Sequence, residues 1–271
     1  MNLRNFGPTT PLMPTLFIGH GNPMNAIENN AFSKTWQQLG QTLPKPRAIL
    51  CISAHWETQG TAITAMPTPK TIHDFYGFPE PLSTFQYPAP GDPALATTIQ
   101  ASMTQHIHLD HAWGLDHGAW SLLTHLYNAA DIPVLQLSLD KHKSPQDHYH
   151  LAKELAFLRT QGVLIIGSGN VVHNLRAADW QDATAQFDWA KEANHQIQTL
   201  IESGNHDSLA NYAKLGPELR HAIPTPEHFL PLLYILALQS PQDPTFFFNN
   251  DLVMGSISML SVGFNTPEGY L

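Results

Sequence analysis

The chain has 271 residues, of which 42% are hydrophobic and 13% are charged. Because an average soluble protein has roughly 25% charged residues, this composition excludes a disordered chain. The formal net charge is −9 and Lys and Arg form no cluster, so nucleic-acid binding is disfavoured. A single cysteine, Cys51, excludes an internal disulfide and a multi-thiolate metal site. With no signal peptide and no run of 18 apolar residues, we expect a cytoplasmic protein without membrane contact.

Strand and helix patterns alternate along the chain. Runs of branched apolar residues predict strands at 15–19, 47–54, 61–66, 133–139, 163–167 and 255–264. Helical spacing predicts helices at 31–41, 93–105, 119–130, 145–159, 185–203 and 227–238. The alternation predicts an α/β fold: one domain over residues 1–271, with a central, mostly parallel sheet flanked by helices on both faces.

The segment 66–93, MPTPKTIHDFYGFPEPLSTFQYPAPGDP, interrupts this alternation. It contains seven prolines and five aromatic residues, so it is too stiff and too apolar for a flexible linker. Long ordered loops in compact domains are usually functional, and this one is expected to place aromatic surface over a pocket. The alternative is a loop that only covers a sheet edge.

The chain contains sixteen histidines, so any metal binding or acid–base chemistry is expected to use imidazole and carboxylate groups. His20, in IGHGNPM, follows the first predicted strand, His55 follows the second, and His173 lies six residues after Gly167, where the predicted strand 163–167 ends. Ligands of open α/β sheets bind beyond the carboxyl ends of the strands, so these three histidines are predicted to share one rim. His228, in TPEHFLPLLY, stands at the start of an apolar helix whose first turn carries Glu227.

Two of the histidines are candidates for proton transfer. His117, in LDHGAW, precedes a predicted helix, whose positive end favours a neutral imidazole. His173 follows a predicted Gly-Ser-Gly turn, from which its ring can point back over the strand ends. A neutral histidine there can accept a proton from a substrate hydroxyl. For His117, a helix-capping or packing role is an equal alternative.

Nine blocks of sequence carry a family resemblance over almost the whole chain, from about residue 15 to residue 262. They are GHGNPM, SAHWET, TIHDFYGFPEPL, YPAPGDPALA, WGLDHGAW, VLQLSLD, GSGNVVHNLR, IPTPEHFLPLLY and MGSISMLSV. In this order they resemble the class III extradiol ring-cleavage dioxygenases of the LigB type, in the 4,5-DOPA dioxygenase extradiol branch. The resemblance implies a LigB-like fold and an enzyme that cleaves a catechol such as DOPA beside its two hydroxyls, using O2.

The resemblance also implies a metal site. The metal ligands of the family fall on His20, His55 and His228, and its active-site histidine, sometimes given as a further ligand, falls on His173. His117 matches a second histidine of the site. The implied cofactor is one ion per chain, Fe(II) for ring cleavage or Zn(II) as the bound metal. His228 replaces the glutamate of protocatechuate-type relatives, and three neutral ligands suit zinc as well as iron.

The resemblance implies a division of roles within the site. His173 removes a proton from a catechol hydroxyl, and His173 or His117 returns a proton as the ring opens. Aromatic side chains are predicted to pack on the substrate ring; the candidates are Trp56, Phe75, Tyr76 and Phe78. Lys70 and Arg176 are candidates for binding a substrate carboxylate. The expected partners are a small catechol and O2, and the expected state is a monomer or a small homo-oligomer.

Two other functions are compatible with the same residues. A zinc hydrolase could use the three histidines and an open position to activate water, with Glu227 as the base. A non-enzymatic binding protein could share the fold, because fold does not determine function. Dependence of the reaction on oxygen separates the dioxygenase from the hydrolase, and a ring-opened product separates it from the binding protein.

Overall fold

The computed structural model describes residues 10–266, and a mixed sheet of eight strands lies at their centre. The strands of the described residues are β1 (Thr15–Gly19), β2 (Ala48–Thr58), β3 (Thr61–Thr64), β4 (Ile107–Asp110), β5 (Val134–Asp140), β6 (Val163–Gly169), β7 (Thr245–Phe248), β8 (Leu252–Val253), β9 (Ile257–Ser258) and β10 (Ser261–Phe264). The order across the main sheet is β4-β3-β5-β2-β6-β1-β10-β7, and β8 pairs with β9 in a separate hairpin. The strands that form the middle of the main sheet, β5, β2, β6 and β1, are all parallel.

Helices cover both faces of this sheet. They are α1 (Ala31–Thr42), α2 (Glu80–Ser83), α3 (Pro93–Ser102), α4 (His117–Leu126), α5 (Pro145–Lys153), α6 (Asp188–Glu202), α7 (His206–Ala210), α8 (Pro217–Ala222) and α9 (Leu230–Ala237). Within residues 10–266, none of the helices is long and apolar enough to cross a membrane.

Two hydrophobic cores lie on opposite faces because side chains alternate along each strand. In β1, Phe17 belongs to the core that includes side chains of α3, α5, α6 and α9, whereas Leu16 and Ile18 belong to the core that includes side chains of α1 and α4. The same alternation separates Ile165 from Ile166 in β6. The strands β1, β5 and β6 are buried on both faces, which explains their continuous apolar sequences.

The predicted α/β fold is confirmed, with differences at the ends of the elements. The predicted strand 255–264 is divided into β9 and β10, because β9 pairs with β8 while β10 joins β1. The predicted helix 145–159 ends at Lys153 and continues as a separate 3-10 helix, Ala156–Gln161. Strands β4, β7 and β8 were not predicted, because they are short and only partly apolar.

Two glycines at the carboxyl end of β6 allow the chain before α9 to approach the sheet. The predicted Gly-Ser-Gly turn is wrong, since Gly167 and Gly169 belong to the strand itself. A Cβ atom at Gly169 would collide with the carbonyl oxygen of His228, and one at Gly167 would meet that of Pro231. The amide of Asn170 donates to the same carbonyl of His228 at 2.9 Å. Because these glycines have no side chains, the backbone at His228 can lie close to the end of β6.

This contact predicts the effect of Gly169→Ala. The added methyl group displaces the backbone at His228, and overpacking of this kind costs about 1–3 kcal/mol of unfolding free energy. We expect urea unfolding to show this loss. Since the family resemblance implies that His228 is a metal ligand, we also expect its displacement to lower Zn(II) affinity.

Gly77→Ala provides the control. Gly77 has a φ of 79°, and a Cβ atom added there would meet no other atom within 4 Å, so the substitution introduces backbone strain without a collision. We expect it to cost about 1 kcal/mol without any change in Zn(II) affinity. Equal effects of both variants on metal binding would contradict the role assigned to Gly169.

Candidate metal centre

Five histidines from five parts of the chain meet at the carboxyl edge of the parallel strands. His20 follows β1, His55 lies in β2 where its register with β5 shifts, and His117 is the first residue of α4. His173 and His228 lie in the loops that follow β6 and precede α9. A register shift in a strand can redirect a side chain, and such irregularities are common beside active sites.

The rings of His20, His55 and His228 form a compact triangle. Their centroids are 5.0 Å (His20–His55), 5.4 Å (His20–His228) and 5.0 Å (His55–His228) apart. One ring nitrogen from each lies within 4.8 Å of the others. The Nε2 atoms of His20 and His55 are 3.1 Å apart. Ligand nitrogens about 2.1 Å from one divalent ion lie about 3.0–3.4 Å apart, so these rings fit a shared cation.

The outer nitrogen of His20 determines which nitrogen faces the centre. Its Nδ1 is 2.9 Å from the hydroxyl of Ser168, and that hydroxyl donates to the carbonyl oxygen of Gly118 at 2.5 Å. Since a carbonyl only accepts, the Ser168 oxygen must accept the Nδ1 hydrogen of His20. The Nε2 atom of His20 is therefore left with a free lone pair, as a metal ligand requires.

His228 is oriented in the same way by its neighbour in sequence. Its Nδ1 is 3.0 Å from Oε1 of Glu227, which also accepts from the hydroxyl of Thr225 at 2.8 Å. Burial opposes ionisation of Glu227, but its hydrogen bond and electrostatic interaction with His228 outweigh burial and lower the pKa of Glu227 to about 2. The carboxylate is thus a hydrogen-bond partner of the His228 ring.

Asp74 contacts two rings on the other side of the site. Its Oδ1 accepts the backbone N–H of His117 at 3.0 Å, and its Oδ2 lies 2.9 Å from Nδ1 of His117 and 3.4 Å from Nδ1 of His55. Burial raises the pKa of Asp74, but the hydrogen bonds and charge of His117 outweigh this and lower it.

A buried carboxylate fixes the start of α4 behind these rings. Asp116 caps the helix by accepting from the amide of Ala119, and it accepts hydrogen bonds from Ser53 and Gln136, both at 2.7 Å. Burial and the charge of Asp74 raise the pKa of Asp116. This network positions His117 and shows that His117 begins the helix, whereas the sequence predicted a helix from residue 119.

His173 stacks face to face on the ring of His228. The two centroids are 3.5 Å apart and the planes differ by 13°. Burial, and then the neighbouring His228, lower the pKa of His173 to about 3. Burial also lowers the pKa values of His20, His55 and His228. These four rings are therefore neutral at neutral pH, which is the form that binds a metal or accepts a proton.

A cavity of about 240 Å³ opens onto this histidine cluster. Its apolar walls include Phe78, Met254 and Ile257, and its other walls include the exposed side chains of Leu175 and Trp180. All five clustered histidines line it. The cavity can accept a small, flat, largely apolar ligand with polar groups directed at the imidazoles.

The aromatic residues predicted to contact substrate are placed differently. Trp56 is buried and stacks on Trp113 at 5.5 Å, because consecutive side chains of a strand point to opposite sides and Trp56 follows His55. Phe75 packs behind the site against His117 and Phe78, and the side chain of Tyr76 is 96% exposed. Among the aromatic candidates, Phe78 alone lines the cavity within the described residues.

The candidates for binding a carboxylate also lie outside the cavity walls. Lys70 and Arg176 are exposed, and neither belongs to the described lining of the cavity. Asp74, Ser168 and Glu227, which contact the outer imidazole nitrogens, were not predicted in this role from the sequence. The position of Asp74, one residue after His73 in the segment 66–93, could have indicated a role in the site. For Ser168, the only indication was its place at the end of a strand.

Comparison with known proteins identifies relatives of this chain over most of its length. The model of the LigB family, described as the catalytic LigB subunit of aromatic ring-opening dioxygenase, matches residues 14–264. The chain is 46% identical over 256 residues to a 4,5-DOPA dioxygenase extradiol of Escherichia coli (strain K12), with 92% of this chain and 94% of the relative covered. It is 40% identical to a 4,5-DOPA dioxygenase extradiol of Beta vulgaris, with 83% and 87% covered.

A solved structure shows the same fold. The crystal structure of an uncharacterized protein from Escherichia coli K12 superposes with a TM-score of 0.81 at 41% identity. The match covers 93% of this chain and 99% of that one.

The low pKa of His173 predicts a pH-dependent stability. Between its folded pKa of about 3 and its unfolded value of roughly 6.5, the unfolded chain binds one more proton at this residue than the folded chain. The metal-free protein should therefore lose stability as the pH falls below about 6.5, and His173 contributes about 1.3 kcal/mol per pH unit near pH 5. Urea unfolding of the wild type and His173→Gln between about pH 5 and pH 6 measures this slope. Equal slopes for the two proteins would show that His173 is not held neutral by the fold.

Proposed function

Because the chain belongs to the LigB family of aromatic ring-opening dioxygenases, we propose that it cleaves a catechol beside its two hydroxyls, with O2 as co-substrate. The proposed substrate is DOPA or a catechol of similar size, and the proposed product is the 4,5-extradiol semialdehyde. One observation carries this proposal: the lone-pair nitrogens of separate histidines converge at the floor of a cavity that is open to solvent.

We propose that His20, His55 and His228 hold a single divalent ion. Their inner nitrogens lie close enough for a common ion, and hydrogen bonds or carboxylates occupy the outer nitrogens. Ring cleavage requires Fe(II) in this assignment, and Zn(II) would fill the same site because three neutral imidazoles suit both ions. Fe(II) bound there supplies the Lewis acidity and the redox chemistry that O2 needs to react with an aromatic ring.

The protein residues move the protons of the proposed reaction. His173 is neutral and lines the cavity, so it can accept a proton from a catechol hydroxyl. His117 also lines the cavity, and its Nδ1 is held by Asp74, so its Nε2 is the nitrogen available for exchange with substrate. We assign His173 as the base, and a protonated histidine, His173 or His117, as the acid that returns a proton when the ring opens.

The cavity walls orient the catechol for this reaction. Phe78, Ile257 and Met254 offer apolar surface to the ring, so the hydroxyls are directed to the histidines and water is excluded. Leu175 and Trp180 are 44% and 67% exposed, which places the ring substituent at the mouth of the cavity. Phe78 replaces Trp56, Phe75 and Tyr76 as the proposed aromatic contact.

The proposed working unit is a single chain. All five histidines come from one copy, so residues 1–271 are proposed to act as one catalytic domain, in a monomer or a small homo-oligomer. The buried, unpaired Cys51 is compatible with the proposed cytoplasmic location.

Reconstitution tests the proposed activity directly. The purified chain is loaded with Fe(II) under anaerobic conditions, mixed with DOPA, and then exposed to O2. We expect no change before oxygen is added and a new visible absorbance afterwards, with one O2 consumed for each catechol. Turnover without oxygen would instead indicate a hydrolase, and tight catechol binding without any product would indicate a binding protein.

Single substitutions separate the proposed roles. His173→Ala should keep the metal and lower kcat by about 10²–10⁴, because general acid–base catalysis contributes this much. His20→Ala should lose the metal, as measured by metal analysis after gel filtration. His150→Ala, at an exposed position on α5, is the control and should behave as wild type. Loss of metal from His173→Ala would make His173 a ligand and contradict its assignment as the base.

A further inference from the structure

We propose that Asp74 is a positioning residue that sets the tautomers of His55 and His117 together. This inference rests on the proposed function only in taking His55 as a metal ligand and His117 as a proton-transfer group. Asp74 lies in the aromatic segment 66–93, and it contacts rings that neither Ser168 nor Glu227 holds.

The geometry assigns a different task to each carboxylate oxygen. Oδ1 accepts the backbone N–H of His117 at 3.0 Å, which attaches the carboxylate to the first residue of α4. Oδ2 lies 2.9 Å from Nδ1 of His117 and 3.4 Å from Nδ1 of His55. Since an ionised carboxylate only accepts, both contacts are favourable only when each Nδ1 carries a hydrogen. The Nε2 atom of each ring is then free of hydrogen.

The same geometry excludes Asp74 as a ligand of the ion that His20 and His55 would share. Asp74 instead contacts the opposite nitrogen of the His55 ring. His55 approaches His20 through Nε2 at 3.1 Å, whereas it faces Asp74 through Nδ1. The two nitrogens of an imidazole point in widely different directions, so Asp74 lies on the outer side of the ring. A carboxylate there also places negative charge beside an otherwise neutral ligand set, which raises the basicity of the ligand.

The surrounding segment holds Asp74 in place. The indole N–H of Trp120 donates to the carbonyl oxygen of Ile72 at 2.8 Å, and Nε2 of His73 lies 2.9 Å from the carbonyl oxygen of Phe85. The ring of Phe75 packs against that of His117, with centroids 5.7 Å apart. The residues on both sides of Asp74 are therefore anchored independently of its carboxylate, so the carboxylate can be changed while its backbone stays in place.

Asp74→Asn tests the proposal because an amide has one acceptor where a carboxylate has two. If the amide oxygen keeps the backbone N–H of His117, the amide NH₂ faces the Nδ1 atoms of both rings. Each Nδ1 must then accept, which moves the ring hydrogen to Nε2. In that tautomer, the Nε2 of His55 cannot bind a metal.

Two measurements on the protein without catechol follow from this reasoning. Competition with a chromophoric chelator should show that Zn(II) affinity falls about 10–100-fold in Asp74→Asn. ¹⁵N spectra of histidine-labelled, metal-free protein should show the ring of His117 changing from the Nδ1–H form to the Nε2–H form. Asp74→Glu, which keeps the carboxylate, should recover part of the affinity and the original ring signals.

Asp110→Asn is the matched control. Asp110 also accepts backbone N–H groups, those of Ala112 and Trp113, but it is outside the histidine cluster. We expect it to leave the Zn(II) affinity and the ring signals unchanged. If Asp74→Asn does not fold, Asp74→Ser removes the same carboxylate and is expected to weaken Zn(II) binding as strongly.

The proposal is overturned if Asp74→Asn binds Zn(II) within twofold of wild type, or if affinity falls while all ring signals keep their original tautomer. The second result would mean that Asp74 only supports the local fold. Neither measurement uses oxygen or a catechol. A wild-type protein that fails to cleave catechols would therefore reject the proposed function and leave this test intact.

Discussion

The site depends on one contact, between the Nε2 atoms of His20 and His55 at 3.1 Å. Two nitrogen lone pairs at this distance repel each other unless a cation or a proton lies between them, and the fold holds both rings in position for such a bridge. Groups that contact the outer nitrogen of each ring hold the rings in place. Ser168 fixes the far nitrogen of one ring, and Asp74 contacts the far nitrogen of the other. The carboxylates stay at the periphery and the interior presents neutral nitrogens, which keeps the cavity suited to an apolar ring.

Strand ends and family resemblance together predicted the centre of the site, but not its surroundings. The clustering of His20, His55 and His173 follows from the carboxyl-edge rule, since the apolar runs before them are unmistakable strands. His228 and His117 could be placed only through the motifs around them. Asp74 and Ser168 could not be assigned from the sequence, because their roles depend on hydrogen bonds between residues that are 43 and 148 positions apart.

The sequence did not show which of the aromatic residues line the cavity. Proximity in sequence suggested Trp56 beside His55 as a cavity wall, but strand geometry directs neighbouring side chains to opposite sides. The segment 66–93 was correctly expected to be ordered and to bring aromatic surface to a pocket, and Phe78 provides that surface. The composition of this segment could not reveal which of its aromatic residues faces inward. That choice is made by tertiary packing, in which Phe75 fills the space between His117 and Trp120.

The spread of the clustered histidines along the chain has a consequence for biosynthesis. His20 lies near the start of the chain, but its strand, β1, is flanked in the sheet by β6 and β10, which are made much later. His228 lies beyond all of the parallel strands. The rings of His20, His55 and His228 can therefore meet only after residue 228 has been synthesised. Under the proposed ligand set, a nascent chain that lacks His228 cannot hold the ion in the final geometry.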